Sequence, residues 1–407
     1  MTDLTRVFPS WPHYSKEEAR AVCDVLLSNQ VNYLAQCRNK DSVGRDFEQK
    51  FAEWSQNGHA IAVANGTVAL DLALHGLGIG RANGGGEHDE VVVTPRTFIA
   101  SVSTVVNAGA VPVFADIDRD SGNISAATIA PVLTDRTRAI IVVHLGGWPA
   151  DMAPIIALAS QRGIKVIEDC AQAHGARYRG RSVGSIGDAG AWSFCTDKIM
   201  TTGGEGGMVT TNDDALWSRM WSFKDHGKDR EDYCNPDPDH VGFRYLHHRF
   251  GTNWRLTEMQ CAIGRFQLGR MQEWTRARTG YAMTVAAALR RHAGVVRVPL
   301  PDETDTHAFY RLYAYVRPEG LRPGWDRNRI VHELHKQRGL PVMHGTCSEV
   351  YREAAFDGTP WRPEPRLPVA HELGETSLMF TVNPLLTAED AAHVAQGVDE
   401  VLSQAGR

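Results

Sequence analysis

From residue 59 onward the hydrophobic pattern of this chain changes period, and the change limits the folds open to it. Six short β-rich runs, "HAIAVA", "EVVVTP", "VPVFADI", "RAIIVVHLGG", "IKVIEDC" and "AGAWSF", lie between residues 59 and 194. Helix-compatible stretches such as "TVALDLALHGLGI" and "MAPIIALASQRG" separate several of them. Strands alternating with helices predict the α/β class, a mainly parallel sheet with helices on both faces, in which ligands gather at the carboxyl ends of the strands. Before this region, a capping-box pattern at Ser15 to Glu18 opens one helix and "VGRDFEQKFAEWSQ" supplies another. After it, a second capping box at Thr257 to Gln260 starts a helical stretch with Met259, Ile263 and Phe266 on one stripe. A boundary near residues 265 to 280 divides the chain into a large domain, 1–270, and a smaller α+β domain, 271–407, ending in a helix. The stretch "GRANGGGEHDE" reads as a flexible surface loop.

The chain is long enough for both domains to bury a core: 407 residues, 43% apolar and 22% charged. A net charge of -5 offers no broad attraction for nucleic acid or anionic membrane, so the expected partner is a small molecule. The cysteines, Cys23, Cys37, Cys170, Cys195, Cys234, Cys261 and Cys347, are scattered and never form a C-x-x-C pair, which argues against a disulfide framework and a zinc cluster. No metal site is expected. The N-terminal stretch lacks a basic start followed by an apolar run, and no window of membrane-spanning length is apolar, so the expected location is cytoplasmic.

Three strand ends carry residues suited to chemistry. In "IAVANGTVALDLAL" a strand runs into Asn65, Gly66 and Thr67 and then a helix, so Gly66 and Thr67 present backbone N–H groups and a hydroxyl where phosphate binds well; an ordinary helix cap has the same pattern. In "IKVIEDCAQAHGA" the strand ends at Glu168 and Asp169, followed by Gln172 and His174. A half-shielded carboxylate there can hold a cationic ligand nitrogen or cap the next segment, and His174 suits a hydrogen bond within the site or the core. In "SFCTDKIMTTGGEGG" the strand delivers Ser193 and then Lys198, one of eight lysines against 35 arginines. A lysine partly withdrawn from water, beside glycines that allow close approach, becomes a nucleophile toward carbonyls. A phosphate site, an acid for a ring nitrogen and an imine-forming lysine at successive strand ends together meet the needs of pyridoxal phosphate.

Two look-alikes fail on context. "GRSVG" matches a nucleophile elbow but sits in a glycine-rich hairpin rather than between a strand and a helix. "GGEGG" lacks the G-K-[ST] ending of a P-loop and the spacing of a dinucleotide fold.

The motifs "ANGTVAL", "TPRTFIAS", "VIEDCAQAHGA", "SFCTDKIMTTGGEGG" and "GTNWRLTEMQCAIGRFQL" resemble, in order, those of the DegT/StrS family of sugar aminotransferases over most of residues 10 to 270. The resemblance implies a fold-type-I pyridoxal 5'-phosphate enzyme, a homodimer with its active sites at the subunit interface. It implies that Lys198 forms the imine with the cofactor, that Asp169 faces the pyridine nitrogen and that Gln172 lies near the phenolic oxygen. Gly66, Thr67 and Ser193 would hold the phosphate, Phe98 would stack on the ring, and Asn253 would reach the phosphate of the other subunit. The implied reaction moves an amino group from glutamate or glutamine to a keto sugar, most readily a nucleotide-linked one. Cyclitol ketones, amino-hydroxybenzoate-type precursors and non-nucleotide sugar phosphates remain alternative acceptors, and a non-catalytic regulatory protein binding the cofactor is a further alternative. Dehydrating relatives replace the lysine with histidine, which Lys198 argues against. Two departures bear on the substrate: "PVMHGTCSEVYRE" stands where many members carry an H-Y-x-P-L-H-like segment, and the loop at "GRANGGGEHDE" is longer than usual.

Overall fold

The computed structural model of the protein describes residues 6–32, 42–235 and 237–407. Helices α1, Lys16–Leu27, and α2, Val43–Trp54, come first; α1 begins at the expected capping box, with Ser15 accepting from the N–H of Glu18. Nine strands follow: β1 His59–Val63, β2 Glu90–Val93, β3 Val111–Phe114, β4 Thr137–Val143, β5 Lys165–Asp169, β6 Arg177–Tyr178, β7 Arg181–Ser182, β8 Ala189–Ser193 and β9 Gly207–Thr211. Seven of them form one sheet in the order β1-β9-β8-β5-β4-β2-β3. Its core is parallel as expected, while β9 runs antiparallel between β1 and β8. That strand, "GMVTT", escapes a reading by apolar runs because its two threonines break the pattern.

Alternate residues of the central strands enter opposite cores. Val91 and Val93 of β2, Ile141 of β4 and Ile167 of β5 belong to one buried cluster, whereas Val92, Ile140, Val142 and Val166 belong to another. A side-chain period of two with both faces apolar produces the continuous hydrophobic runs of a sheet covered on both sides.

The helix after the second capping box spans Glu258–Arg290 without a break. Its first half packs Cys261, Leu268, Met271 and Trp274 into the core of the large sheet, and its second half packs Tyr281, Val285 and Leu289 into a separate core. The change of core falls at buried Arg278, whose Nε donates to the carbonyl of Ala308. The second core sits against an antiparallel sheet of β10 Val296–Arg297, β11 Arg311–Val316, β12 Val342–Met343 and β13 Ser377–Thr381, in the order β10-β11-β13-β12, and against the terminal helix Ala388–Ala405.

Two expectations change. The stretch 80–90 is pinned rather than loose: the buried Asp89 carboxylate accepts from the N–H groups of Gly80 and Gly86, and Arg81–Asn83 form a turn of 3-10 helix. Composition showed the glycines but not the acid that collects their amides. Cys23, Cys170, Cys195, Cys261 and Cys347 are free, but Cys234 is disulfide-bonded, which the scatter of cysteines along the chain did not suggest because pairing depends on distance in the fold. Cys37 lies outside the described residues.

Candidate active site

The parallel strands and β1 point their carboxyl ends at one cavity of about 740 Å³. Its wall contains Gly66, Thr67, Phe98, Asp169, Gln172, Ser193 and Lys198, so seven of the eight residues to which the resemblance gives a cofactor role converge there. Asn253 does not line it; it is exposed and bridges to Asp225, next to the end of β1.

Each wall residue is set by its local structure. After β1 the chain enters helix α3, Gly66–Gly76, where the Asn65 side chain caps the N–H of Val68. The N–H groups of Gly66 and Thr67 precede the first intrahelical acceptor and are left for a ligand. A Cβ on Gly66 would sit 2.6 Å from the Cβ of Ser193, so glycine is what lets these two segments share one concave surface. Phe98 stands just before helix α4, Ala100–Asn107, and is 68% exposed, its ring facing open space as a stacking platform would.

Asp169 ends β5 and is buried. It accepts from the Ser101 hydroxyl at 2.8 Å and the N–H of Ala171 at 3.1 Å. Burial pushes its carboxyl above the usual range, against those hydrogen bonds and the nearby Lys198 charge. A carboxylate in that state gains most from a cationic partner. The carbonyl oxygen of Gln172 accepts from the N–H of Gly146 at 2.7 Å, which leaves its amide N–H groups as the donors available to a ligand. Lys198 keeps 16% of its side chain exposed and is anchored through its carbonyl, which accepts from the Trp11 indole N–H at 2.7 Å. These features fit pyridoxal phosphate: an anion cup, an apolar platform, a shielded acid and an amine around one space.

Neighbouring candidates are structural. Glu168, fully buried, accepts from the N–H groups of Gly184, Ile186 and Gly187 and pairs with His144. Burial alone would raise its carboxyl, but the His144 contact and those amides hold it below the usual range. The "GRSVG" stretch thus lies in the expected β6–β7 hairpin, and the chain from its last glycine, Gly184, to Gly187 is a nest for an acid. His144, Glu168 and Cys170 cluster closely, yet His144 accepts the N–H of Ala150 on Nδ1 and faces Glu168 through Nε2, so neither ring nitrogen is left for a metal.

His174 departs from expectation: among the described residues neither ring nitrogen has a hydrogen-bond partner, and the ring packs against Trp192 and Phe194. Burial, with the charges of Arg278 and Lys198, pushes its pKa down from 6.5 to about 3. The unfolded chain therefore takes up a proton that the folded one refuses as pH falls below 6.5, and stability drops through that window. His174→Phe should remove about 2 kcal/mol of the stability lost between about pH 7 and about pH 5, read from urea midpoints. An equal loss in both proteins would contradict the buried neutral ring.

Sequence reading missed Ser101, Asp197, Tyr310, Arg311, Thr346 and Glu353 on the cavity wall. Ser101 could have been found three positions after Phe98, one helical turn on; the others arrive from the small sheet and its loops, or stood beside Lys198 without a motif of their own.

The sequence profile of the DegT/DnrJ/EryC1/StrS aminotransferase family matches residues 9–399. The X-ray structure of an aminotransferase from Psychrobacter cryohalolentis is similar with 54% identity and a TM-score of 0.92, covering 98% of this chain and 99% of that one. The GDP-perosamine synthase of Caulobacter vibrioides is 36% identical, covering 99% of this chain and 100% of its own. The L-glutamine:2-deoxy-scyllo-inosose aminotransferase of Streptomyces fradiae is 35% identical, covering 83% of this chain and 78% of its own.

Proposed function

From the premise that the chain belongs to the DegT/DnrJ/EryC1/StrS aminotransferase family, we propose that it moves an amino group from glutamate or glutamine to a nucleotide-linked keto sugar. It is a sugar aminotransferase, and its cofactor is pyridoxal 5'-phosphate. The observation that carries the reading is the meeting of Lys198, Asp169 and the Gly66, Thr67 and Ser193 cup in one cavity. Similarity to a GDP-perosamine synthase supports the nucleotide-linked acceptor. Similarity to an inosose aminotransferase makes cyclitol ketones the comparison. Assaying the purified protein with both donors against nucleotide-linked keto sugars, free keto sugars and cyclitol ketones tests this; turnover of cyclitols alone would overturn it.

When bound, the cofactor would supply an electron sink that lets the donor's amino-bearing carbon lose a proton and the acceptor's carbon gain one. In this reading the chain's residues do the rest. Gly66, Thr67 and Ser193 hold the phosphate through N–H and hydroxyl groups. Asp169 keeps a proton on the ring nitrogen, and Gln172 donates an amide N–H to the ring oxygen. Phe98 covers one face and keeps water from it. Lys198 would attach the cofactor and, when its amine is free, would move the proton between the substrate carbon and the cofactor.

The large unit, residues 1–270, and the small unit, 271–407, are then halves of a subunit joined by a continuous helix. No helix among the described residues is long and apolar enough to cross a membrane, and a cytoplasmic location goes with this reading. So does a homodimer in which Asn253 completes the partner's phosphate cup, a role supported by its position outside the cavity of its own chain. Mixing Lys198→Ala with Asn253→Ala chains should create heterodimers with one intact site, because both lesions fall in the other. Activity above that of either parent is expected, up to about half of wild type per heterodimer. No rescue in verified heterodimers of two impaired parents would show that Asn253 does not serve the partner.

A further inference from the structure

One charged cluster on the cavity wall has no role in the reaction as described above. Asp197 precedes Lys198, and its Oδ1 lies 3.7 Å from the Lys198 Nζ. Its other oxygen accepts from the Tyr310 hydroxyl at 2.5 Å and lies 3.9 Å from the Arg311 Nη2. Tyr310 is buried and comes from the chain just before β11 in the small sheet, so a phenol that could have met water is committed to this carboxylate. The same ring lies under the Lys198 Nζ, 5.2 Å from its centroid, and under the Arg311 guanidinium at 3.9 Å. Arg311 is fixed in turn by donating to the carbonyl of Tyr310. Adjacent residues seldom have any reason to share a partner, and an exposed ion pair alone would contribute little. Here a buried donor and a stacked cation hold the carboxylate on the lysine's side of the cavity.

We propose that Asp197 is a positioning residue for Lys198: braced by Tyr310 and Arg311, its carboxylate draws the Lys198 nitrogen to one side of the cavity and sustains positive charge on it. This rests on Lys198 being the residue that attaches the cofactor. Burial pushes the Asp197 carboxyl up, but the Lys198 charge, the Tyr310 hydroxyl and Arg311 outweigh it and keep the group below its ordinary range, hence ionised at neutral pH. The other titratable groups around the Lys198 nitrogen are Asp169 at the end of β5, Glu205 in the glycine turn and Glu353, all on the cavity wall, and buried His174, which its low pKa keeps neutral. Asp169 is spoken for by the ring nitrogen. Asp197 is the acid tied both to the lysine and to the small sheet.

The bound cofactor's visible absorbance changes with pH as the Lys198 nitrogen gains or loses its proton, which makes the charge effect readable without turnover. In the holoenzyme, Asp197→Asn should lower the midpoint of that change by about one pH unit, the low end expected for losing an opposite charge that is itself half-exposed. Tyr310→Phe should lower it by less, since the carboxylate remains but loses its brace, and Asp197→Glu should recover most of the shift. Borohydride reduction with peptide mapping is run on each protein. With the label on Lys198, an unchanged or raised midpoint in the Asn variant overturns the inference. A label on another lysine overturns the assignment beneath it, and the inference with it.

Discussion

Lys198→Ala should abolish turnover, by at least about 10⁴-fold, because in the proposed function one side chain supplies both the imine-forming amine and the group that moves the substrate's proton. The fold should survive. Among the described residues the side chain makes an ion pair only with Asp197, while the backbone stays held by the bond from Trp11 to the Lys198 carbonyl and by the glycine turn behind it. Denaturant midpoints of variant and wild type should agree within about 1 kcal/mol. Borohydride reduction of the wild type should attach the cofactor at Lys198. Mapping of the adduct to Lys165 or Lys224 would refute the assignment.

Asp169→Asn should keep the cofactor and lose about two or more powers of ten in rate, because an amide cannot hold a proton on the ring nitrogen. The replacement fits the site. Its oxygen can accept from Ala171 and its amide can donate to the Ser101 hydroxyl, which rotates to receive it. A second effect has the opposite direction. Burial raises the Asp169 carboxyl, so the cofactor-free folded chain binds a proton more readily than the unfolded one, and stability is lost as pH rises through the folded pKa. The Asn variant should therefore melt higher than wild type as cofactor-free protein at neutral pH, and the advantage should shrink in acid. Near-normal turnover by the variant, with no gain in cofactor-free stability, would make Asp169 an ordinary structural acid.

Much of this site was legible because its residues sit within a few positions of a strand end. Gly66, Thr67, Asp169, Gln172, Ser193 and Lys198 each follow an apolar run; parallel pairing aligns β5 and β8, and β1 runs the same way because antiparallel β9 lies between it and β8, so all of them reach one edge of the sheet. Tyr310 and Arg311 obey no such rule. They reach the cavity through the small sheet, and nothing local to "HAFYRLYAYV" says that its tyrosine will face Asp197. His174 misled for a related reason: its sequence neighbours are polar site residues, but its ring turns inward onto Trp192. Strand β9 shows the limit on the fold side, since threonines buried between two strands look in sequence like a turn.

The unbroken helix Glu258–Arg290 limits how the molecule can admit a bulky acceptor. A rod embedded in two cores carries torque from one to the other, and a hinge at its middle would have to draw Arg278 away from the Ala308 carbonyl and empty the packing on either side. Helices kink where a proline, a π-bulge or an inserted group breaks the ladder, and this helix contains no proline. One helix packed into both cores thus ties the two sheets together and opposes a hinge between them. Acceptor size is then selected by the side chains at the rim.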